Sequence, residues 1–428
     1  MKIKNVLFLL LAFVIFSSSV YAYSFVGAES SILSQLEGQD GSVRSLSTVN
    51  VKINGVSPYF QFAPILTEYS TLVPVRAVME YLNFTVGWDD PTQTVTISGI
   101  NSVTGTNTTV TLVINSSEIT VNGVKKEIPS PAQLIGDTTY VPIRAVSEAL
   151  GATVGWDAAT NSAGIYTYKK SHTMSIGDYK VTIGQTTDEL FSICGAPSYS
   201  LIGENGLMWH VYAVYAPAFM MVASDAGIVC GYYTNSTLFT TSEGFSYGSA
   251  TVSKTDQYEY VKIDNINIHK YYDTFEGILC GVYAIADGYI NNFDISLSLS
   301  NQSRMGLDIL NSFRYANHLS PLVWDDAAAA CSADHARFMS EQGELTHTGE
   351  DGSSAIQRYL TYNPGFKWTS WGENICAGAK NIFMCMNGWR NSTQHRYIML
   401  SDKTGVGIGM IYQPGAAYEY CAAMLLLK

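Results

Sequence analysis

The stretch "TLVPVRAVMEYLNFTVGWDDPTQTVTI" at 71–97 returns as "TYVPIRAVSEALGATVGWDAATNSAGI" at 139–165, 68 residues later and without a gap. The same offset aligns "VKINGV" (51–56) with "ITVNGV" (119–124). This duplication limits the fold strongly. Each copy is one small unit that cannot bury its own sheet, so the two copies must pack together. Each reads as a strand with an Asn-Gly turn, a helix, a short strand, an Asp-containing turn and a further strand, in the order β-α-β-β. Pro74 and Pro142 suit the first turn of a helix. Val75, Val78, Met79 and Leu82 then recur at helical spacing, matched by Ile143, Val146 and Leu150.

The N-terminus has a different character. Lys2 and Lys4 precede an apolar run from Val6 to Phe16, and Val20-Tyr21-Ala22 places small residues where a signal peptidase cuts. Residues 1–22 are predicted to be a secretory signal peptide, since the run is too short to span a bilayer. The 428-residue chain is therefore expected to be exported, without a membrane span. Its length suggests two to four domains. A net charge of -12 argues against nucleic acid or anionic lipid as the main partner. Of seven cysteines none precedes Cys194, and there is no C-x-x-C motif. An odd number leaves at least one thiol unpaired or intermolecular, and no disulfide framework is expected.

The repeats resemble the domain at the N-terminus of some copper amine oxidases, often called a stalk domain, through V-P-[VI]-R-A-V and G-W-D. The resemblance covers about residues 48–168. It implies no copper chemistry, because these residues include neither His nor Cys. Arg76 and Arg144 could hold an acidic ligand, but pairing with Glu80 and Glu148 one turn later is preferred. Trp88 and Trp156 could stack on sugars; a place in the core is preferred.

"YKKSHTMS" (168–175) reads as a linker, followed by a helix from about Thr187 and Tyr-rich strands. I-G-x-[ST]-x-[DE]-x-[LVIF], G-x-P, W-x-[VI]-Y and G-x-Y-x-N-S together resemble the bacterial domain that precedes a CAP domain, CAP being the superfamily of cysteine-rich secretory and pathogenesis-related proteins. This domain is placed at 175–300, with "SLSLSNQS" (296–303) closing it. His210, on a strand among apolar residues, reads as a structural histidine. Asp188 and Glu189 read as first-turn helix acids.

From Met305 the pattern turns helical, with an alanine-rich helix ending near Gly343 and paired strands at the C-terminus. L-N-x-x-R (310–314), P-L-x-W-D (321–325), H-A-x-x-M (335–339), T-H-T-G (346–349), G-E-N-I (372–375), W-x-N-S-x-x-H-R (389–396) and G-V-G (405–407) resemble the CAP domain, over 305–428. The expected fold is α+β and multidomain: a tandem β-α-β-β repeat domain, a mixed α+β bridging domain and a C-terminal α-β-α sandwich. The family's cleft carries two His and usually two Glu. Carried over, its members are His347, Glu373 and His395, with Ser392 where a second Glu often stands.

Glu373 lies between Gly372 and Asn374 on an apolar segment, where a carboxylate needs a partner. That partner is expected to be His347 or His395. A carboxylate on one ring nitrogen fixes the tautomer and leaves the other nitrogen free. Two such imidazoles, His347 and His395, could hold Zn, with Glu373 as base on a bound water. Cys376 reads as a buried, inert thiol and His335 as structural or at the cleft edge; His318 and His269 carry no signal. The preferred function is a secreted binding or scaffold protein whose cleft takes a small ligand, lipid, peptide or cell-wall component. The alternative is a metal-assisted extracellular peptidase with Glu373 as general base. Attachment to the cell wall through the repeats is a weaker third reading.

Overall fold

The structure, a computed structural model, describes residues 49–67, 70–212, 214–250, 255–289 and 295–428. The proposed signal peptide lies outside the described residues. The chain divides into two compact units, one comprising Ser57–Thr167 with the strand that ends at Ile53, the other Asn54–Val56 with Tyr168–Lys428.

The first unit runs β1 (Asn50–Ile53), β2 (Ile65–Leu66), β3 (Thr71–Pro74), α1 (Val75–Tyr81), β4 (Thr85–Asp89), β5 (Thr94–Ile100), β6 (Asn107–Val113), β7 (Glu118–Val121), β8 (Val124–Glu127), β9 (Gln133–Ile135), β10 (Thr138–Pro142), α2 (Ile143–Ala149), β11 (Thr153–Asp157) and β12 (Ser162–Tyr166). Three sheets result, in the orders β1-β12-β11, β2-β3-β10-β9 and β4-β5-β6-β7-β8. The two copies meet where β3 and β10 pair antiparallel, Val73 opposite Val141. Val78, Met79 and Val146 turn inward with these strands and are fully buried. Pro74 and Pro142 end their strands and stand one residue before the helices, where a missing N–H costs nothing. Arg76 and Arg144 pair with Glu80 and Glu148 at 2.9 and 3.4 Å. Each also donates to the strand that follows its helix, at Val86 O and Val154 O. Trp88 departs from the expected core position. It shares the inward side of Val86 but sits near the end of its strand, 39% exposed, while Trp156 is half-buried.

The second unit opens with β13 (Ser171–Ile176), β14 (Tyr179–Ile183), α3 (Thr187–Cys194), β15 (Tyr199–Ile202), β16 (Met208–Tyr212), β17 (Met220–Asp225), β18 (Ile228–Thr234), β19 (Phe239–Thr241), β20 (Tyr258–Ile263), β21 (Ile266–Asp273) and β22 (Ile278–Ala286). Seven of these strands form one sheet in the order β15-β16-β17-β18-β22-β21-β20, and β14-β13-β19 form another. The predicted linker at 168–175 is mostly β13. Its polar composition hides a period of two that buries His172, Met174 and Ile176. Thr186 caps α3 reciprocally with Glu189. His210 is satisfied on both ring nitrogens by Ser200 and Ser224, each at 2.8 Å.

The remainder comprises α4 (Ile295–Ala316), β23 (Val323–Trp324), α5 (Asp326–Gln342), α6 (Ala355–Tyr362), β24 (Trp371–Ala377), α7 (Ile382–Arg390), α8 (Thr393–Met399), β25 (Gly405–Tyr412) and β26 (Tyr420–Leu427). The "SLSLSNQS" segment, read as the close of the preceding domain, forms the first part of α4. Its alternating Ser and Leu mimic a strand, yet Ser298, Leu299, Gln302 and Ser303 fall at helical spacing and are buried. Ser298 donates to Gly203 O, and Gln302 accepts from the Ile382 amide.

The sheet β23-β25-β26-β24 is covered by α5, whose alanine-rich face lies directly on β25. A Cβ built at Gly407 would stand 2.0 Å from Ala329 N, and one at Gly409 the same distance from Ala333 N. The helix can approach only because these positions carry no side chain. Gly407→Ala should therefore destabilise the unit by about 1–3 kcal/mol through overpacking. A denaturation midpoint equal to that of the wild type would show that the helix can retreat freely.

Glu204 lies beside this domain and accepts from Asn381, the residue that caps α7. Burial pushes its carboxyl up to about 7 against the lowering effect of Asn381. A carboxyl whose folded pKa lies above its unfolded value favours folding when protonated. Its contribution is full below pH 4.5 and fades as pH rises to about 7. Glu204→Gln, which fixes the neutral form, should melt above the wild type at pH 8 and alongside it at pH 4.5. Equal melting at pH 8 would mean that the ionised carboxylate is tolerated without cost.

Candidate functional site

Glu373 occupies the third position of β24, the edge strand of its sheet, opposite Leu425 of β26. Alternation sends Trp371, Glu373 and Ile375 to one face and Gly372, Asn374 and Cys376 to the other. On the first face Trp371 and Ile375 join apolar clusters with α5 and α6. On the second face Gly372 meets Ile398 of α8 and Cys376 meets Cys385 of α7. An edge strand lets groups from both faces reach one rim, and His347 and the backbone of His395 meet residues 373 and 374 there from opposite faces.

The Glu373 side chain is only 3% exposed, and both oxygens are engaged. Oε2 accepts from His347 Nδ1 at 2.9 Å, and Oε1 accepts from Arg358 Nη2 at 2.6 Å. Of the two partners left open by the sequence, His347 makes the contact. With a carboxylate on Nδ1 the ring carries its proton there, so Nε2 faces outward as an acceptor. The His347 side chain is 58% exposed. Arg358 also donates to His347 O and Ser353 O, fastening the loop that carries the histidine.

His395 reaches the rim from α8. Its backbone carbonyl accepts from Asn374 Nδ2 at 3.1 Å, so residues 373 and 374 hold the two histidine segments on opposite faces of one strand. Burial lowers the pKa of His395, and the nearby His347 lowers it further, which favours a neutral ring. Ser392 sits at the N-cap of α8 without a side-chain capping bond, half-buried. His335, on α5, is buried, with Nε2 at 2.8 Å from Thr346 O and 4.0 Å from Glu373 Oε2. Burial lowers its pKa first of all. Its Nδ1 is buried with no hydrogen-bond partner among the described residues, as is Asn374 Oδ1.

Arg358 is the member that sequence reasoning passed over. It lies in the amphipathic segment of α6, and neither spacing nor charge marks it there. The available signal was the demand itself: a buried carboxylate calls for a cation, and guanidinium is better suited to that burial than imidazole. Cys376 also differs from expectation. It is half-buried, with its sulfur 2.8 Å from that of Cys385. A catalytic zinc usually takes three protein ligands. Among the described residues no three His, Cys, Asp or Glu side chains gather in a way that could hold a metal ion. With Glu373 committed to Arg358 and His347, these residues do not fit such a centre.

Among the described residues no helix is long and apolar enough to cross a membrane. No curated protein matches the chain. Solved structures that the chain matches include an extracellular protein containing an SCP domain from Bacillus anthracis str. Ames. It is 18% identical, with 57% of this chain and 93% of that one covered and a TM-score of 0.47. A cysteine-rich secretory protein from Staphylococcus aureus subsp. aureus Mu50 is 15% identical, with 57% and 93% covered and a TM-score of 0.44. The chain matches two family models: Copper amine oxidase N-terminal domain over residues 52–165, and Cysteine-rich secretory protein family over residues 307–425.

Proposed function

We propose that the chain is an extracellular binding or scaffold protein whose cleft at His347, Glu373, Ser392 and His395 takes a small ligand, lipid, peptide or cell-wall component. On this reading residues 48–168 are a pair of β-α-β-β repeats, 175–300 a bridging domain and 305–428 an α-β-α sandwich. The basic and apolar N-terminus supports export, and the cell wall is one place such a protein could reside. The observation that carries the reading is the commitment of Glu373. Arg358 holds one carboxylate oxygen and His347 the other, and with a side chain only 3% exposed Glu373 presents almost no surface to a water it would have to deprotonate. The carboxylate orients; it does not attack. What remains toward solvent is recognition chemistry, with an outward His347 Nε2 and the nearby His395 ring, and Ser392 at the start of the helix that carries His395.

The test is a binding screen of the full chain against fatty acids, short peptides and muropeptides, together with a peptidase assay in millimolar zinc. Saturable binding that falls at least about tenfold in His395→Ala, with no peptide cleavage, is the expected result. Cleavage that is lost in Glu373→Gln and in His347→Ala would replace this reading with the hydrolase.

A further inference from the structure

The duplication in the first unit produces two grooves with the same wall. One, of about 620 Å³, is lined by Arg76, Glu80 and Trp88 of the first copy, with Leu134 and Thr139 of the second. The other, of about 500 Å³, is lined by Arg144, Glu148 and Trp156 of the second copy, with Leu66 and Thr71 of the first. Every one of these residues is displaced by 68 from its counterpart. Each groove thus joins the helix and G-W-D strand of one copy to the strand pair of the other. Neither copy builds a groove alone.

The linings point to one ligand chemistry. In the smaller groove the charges of Lys126, Glu127, Arg144 and Glu148 cancel, and in the larger Glu80, Asp90 and Asp137 outweigh Arg76. An anionic ligand is therefore disfavoured in one and unaided in the other. Trp88, 39% exposed, and the half-buried Trp156 each line a groove beside an ion pair that offers donors and acceptors side by side, with the Arg76 and Glu80 side chains 60% and 52% exposed and those of Arg144 and Glu148 51% and 50%. A flat ring with apolar C–H faces and hydroxyls at its edge meets these requirements. We propose that residues 57–167 form a bivalent module in which the Trp88 and Trp156 grooves each bind a neutral oligosaccharide. Two sites on one compact unit multiply retention on a polymer that presents many copies of the sugar.

Titration calorimetry of the full chain with a β-1,4-linked N-acetylglucosamine hexamer, and separately with a glucose hexamer, tests this. The expected stoichiometry for the sugar that binds is two, falling to one in Trp88→Ala or Trp156→Ala and to none in the double variant. Trp156 is half-buried, so the exposed Glu80→Gln and Glu148→Gln provide a check that does not threaten folding. Each should weaken its own groove about tenfold while circular dichroism is unchanged. Absence of heat with both sugars at millimolar concentration would overturn the proposal. So would a stoichiometry of two that survives the double tryptophan variant.

A separate observation concerns Cys376 of β24 and Cys385 of α7. Their sulfurs stand 2.8 Å apart, closer than unbonded sulfurs settle and within a small movement of the roughly 2.05 Å of a disulfide. The geometry points to a disulfide at Cys376–Cys385 in the oxidised protein. The half-buried Cys376 is the sulfur an oxidant can reach, and the buried Cys385 resolves the bond. Cys376 thiolate attacks a small-molecule disulfide such as oxidised glutathione, forming a mixed disulfide and releasing one thiol. Cys385, on losing its proton, displaces the second thiol. The chain loses two electrons and two protons, and the oxidant becomes two thiols. The bond would staple the strand of Glu373 to the helix preceding His395. After equilibration with oxidised glutathione, alkylation of the unfolded chain should label five of the seven cysteines, and a non-reducing peptide map should show the 376–385 link. Cys376→Ser should leave all six remaining thiols labelled, whereas Cys385→Ser, which lacks the resolving thiol, should keep a glutathione adduct on Cys376 and label the other five. Seven labelled cysteines in the wild type, or a link between other positions, would overturn the assignment.

Discussion

Asp273→Asn is expected to cost about 3–5 kcal/mol of folding free energy, because it strands two guanidinium groups against a neutral amide. Asp273 ends β21 with its side chain fully enclosed, accepting from Arg390 Nε at 3.0 Å and Arg396 Nη1 at 2.6 Å. Its other oxygen accepts from the amides of Phe275 and Glu276. The two arginines come from α7 and α8, so one carboxylate joins the seven-stranded sheet to the helices that lead to His395. Guanidinium–ring contacts with Phe313 complete the enclosure. Burial pushes the Asp273 carboxyl up, but the Arg390 charge and the bond from Arg396 prevail and hold it below its ordinary value. A carboxyl whose folded pKa is depressed stabilises the fold above its unfolded pKa and stops doing so as pH falls through the folded one. The gap between wild type and variant should thus be full at neutral pH, begin to narrow below about pH 3.8 and shrink further as pH falls through the lower folded value. Chemical denaturation at pH 7 and pH 3 measures it. Glu276→Gln, removing a half-exposed partner of Arg396 at 3.3 Å, should cost under about 1 kcal/mol. Equal costs for the two variants would mean that water reaches Asp273 and that the enclosure does not isolate it.

The legible parts of this chain were those in which one pattern served one purpose. A gapless offset of 68 placed Val73 against Val141 in a shared sheet, because a repeated unit must bury its face on its twin. The alanine-rich α5 and the glycines at 407 and 409 are two halves of one close contact, although neither half states its partner. The misread parts were those where composition and period disagreed. Lys169-Lys170-Ser171-His172 has the polarity of a linker, yet β13 buries every second residue. The Ser-Leu alternation of residues 296–300 has a strand's period inside a helix of 22 residues. At the site, the motif placed His347 and Glu373 together, while Arg358 was invisible because an arginine on an amphipathic helix is ordinary until the carboxylate it serves is known. Local pattern reports which side of an element is buried. It does not report which charge waits on the other side.

The same logic sets the expectation for Glu373→Gln. The substitution should cost about 3 kcal/mol, since Arg358, with a side chain only 13% exposed, would keep its charge and lose its counterion. Arg358→Met should cost a similar amount by leaving the carboxylate uncompensated in a place 3% exposed. The double variant should cost clearly less than the sum, because removing both charges also removes the burial penalty of each. Chemical denaturation of the four proteins gives this coupling energy. A structural loss alone would not reach the imidazole, so nitrogen chemical shifts of the His347 ring provide the second reading. With the carboxylate present the proton resides on Nδ1 and Nε2 is the outward acceptor. Glutamine can donate as well as accept, and Glu373→Gln should populate the other tautomer. Additive costs would show that Arg358 and Glu373 act separately. An unchanged tautomer would show that the carboxylate does not set which nitrogen His347 turns toward a ligand, and the orienting role assigned to Glu373 would fall with it.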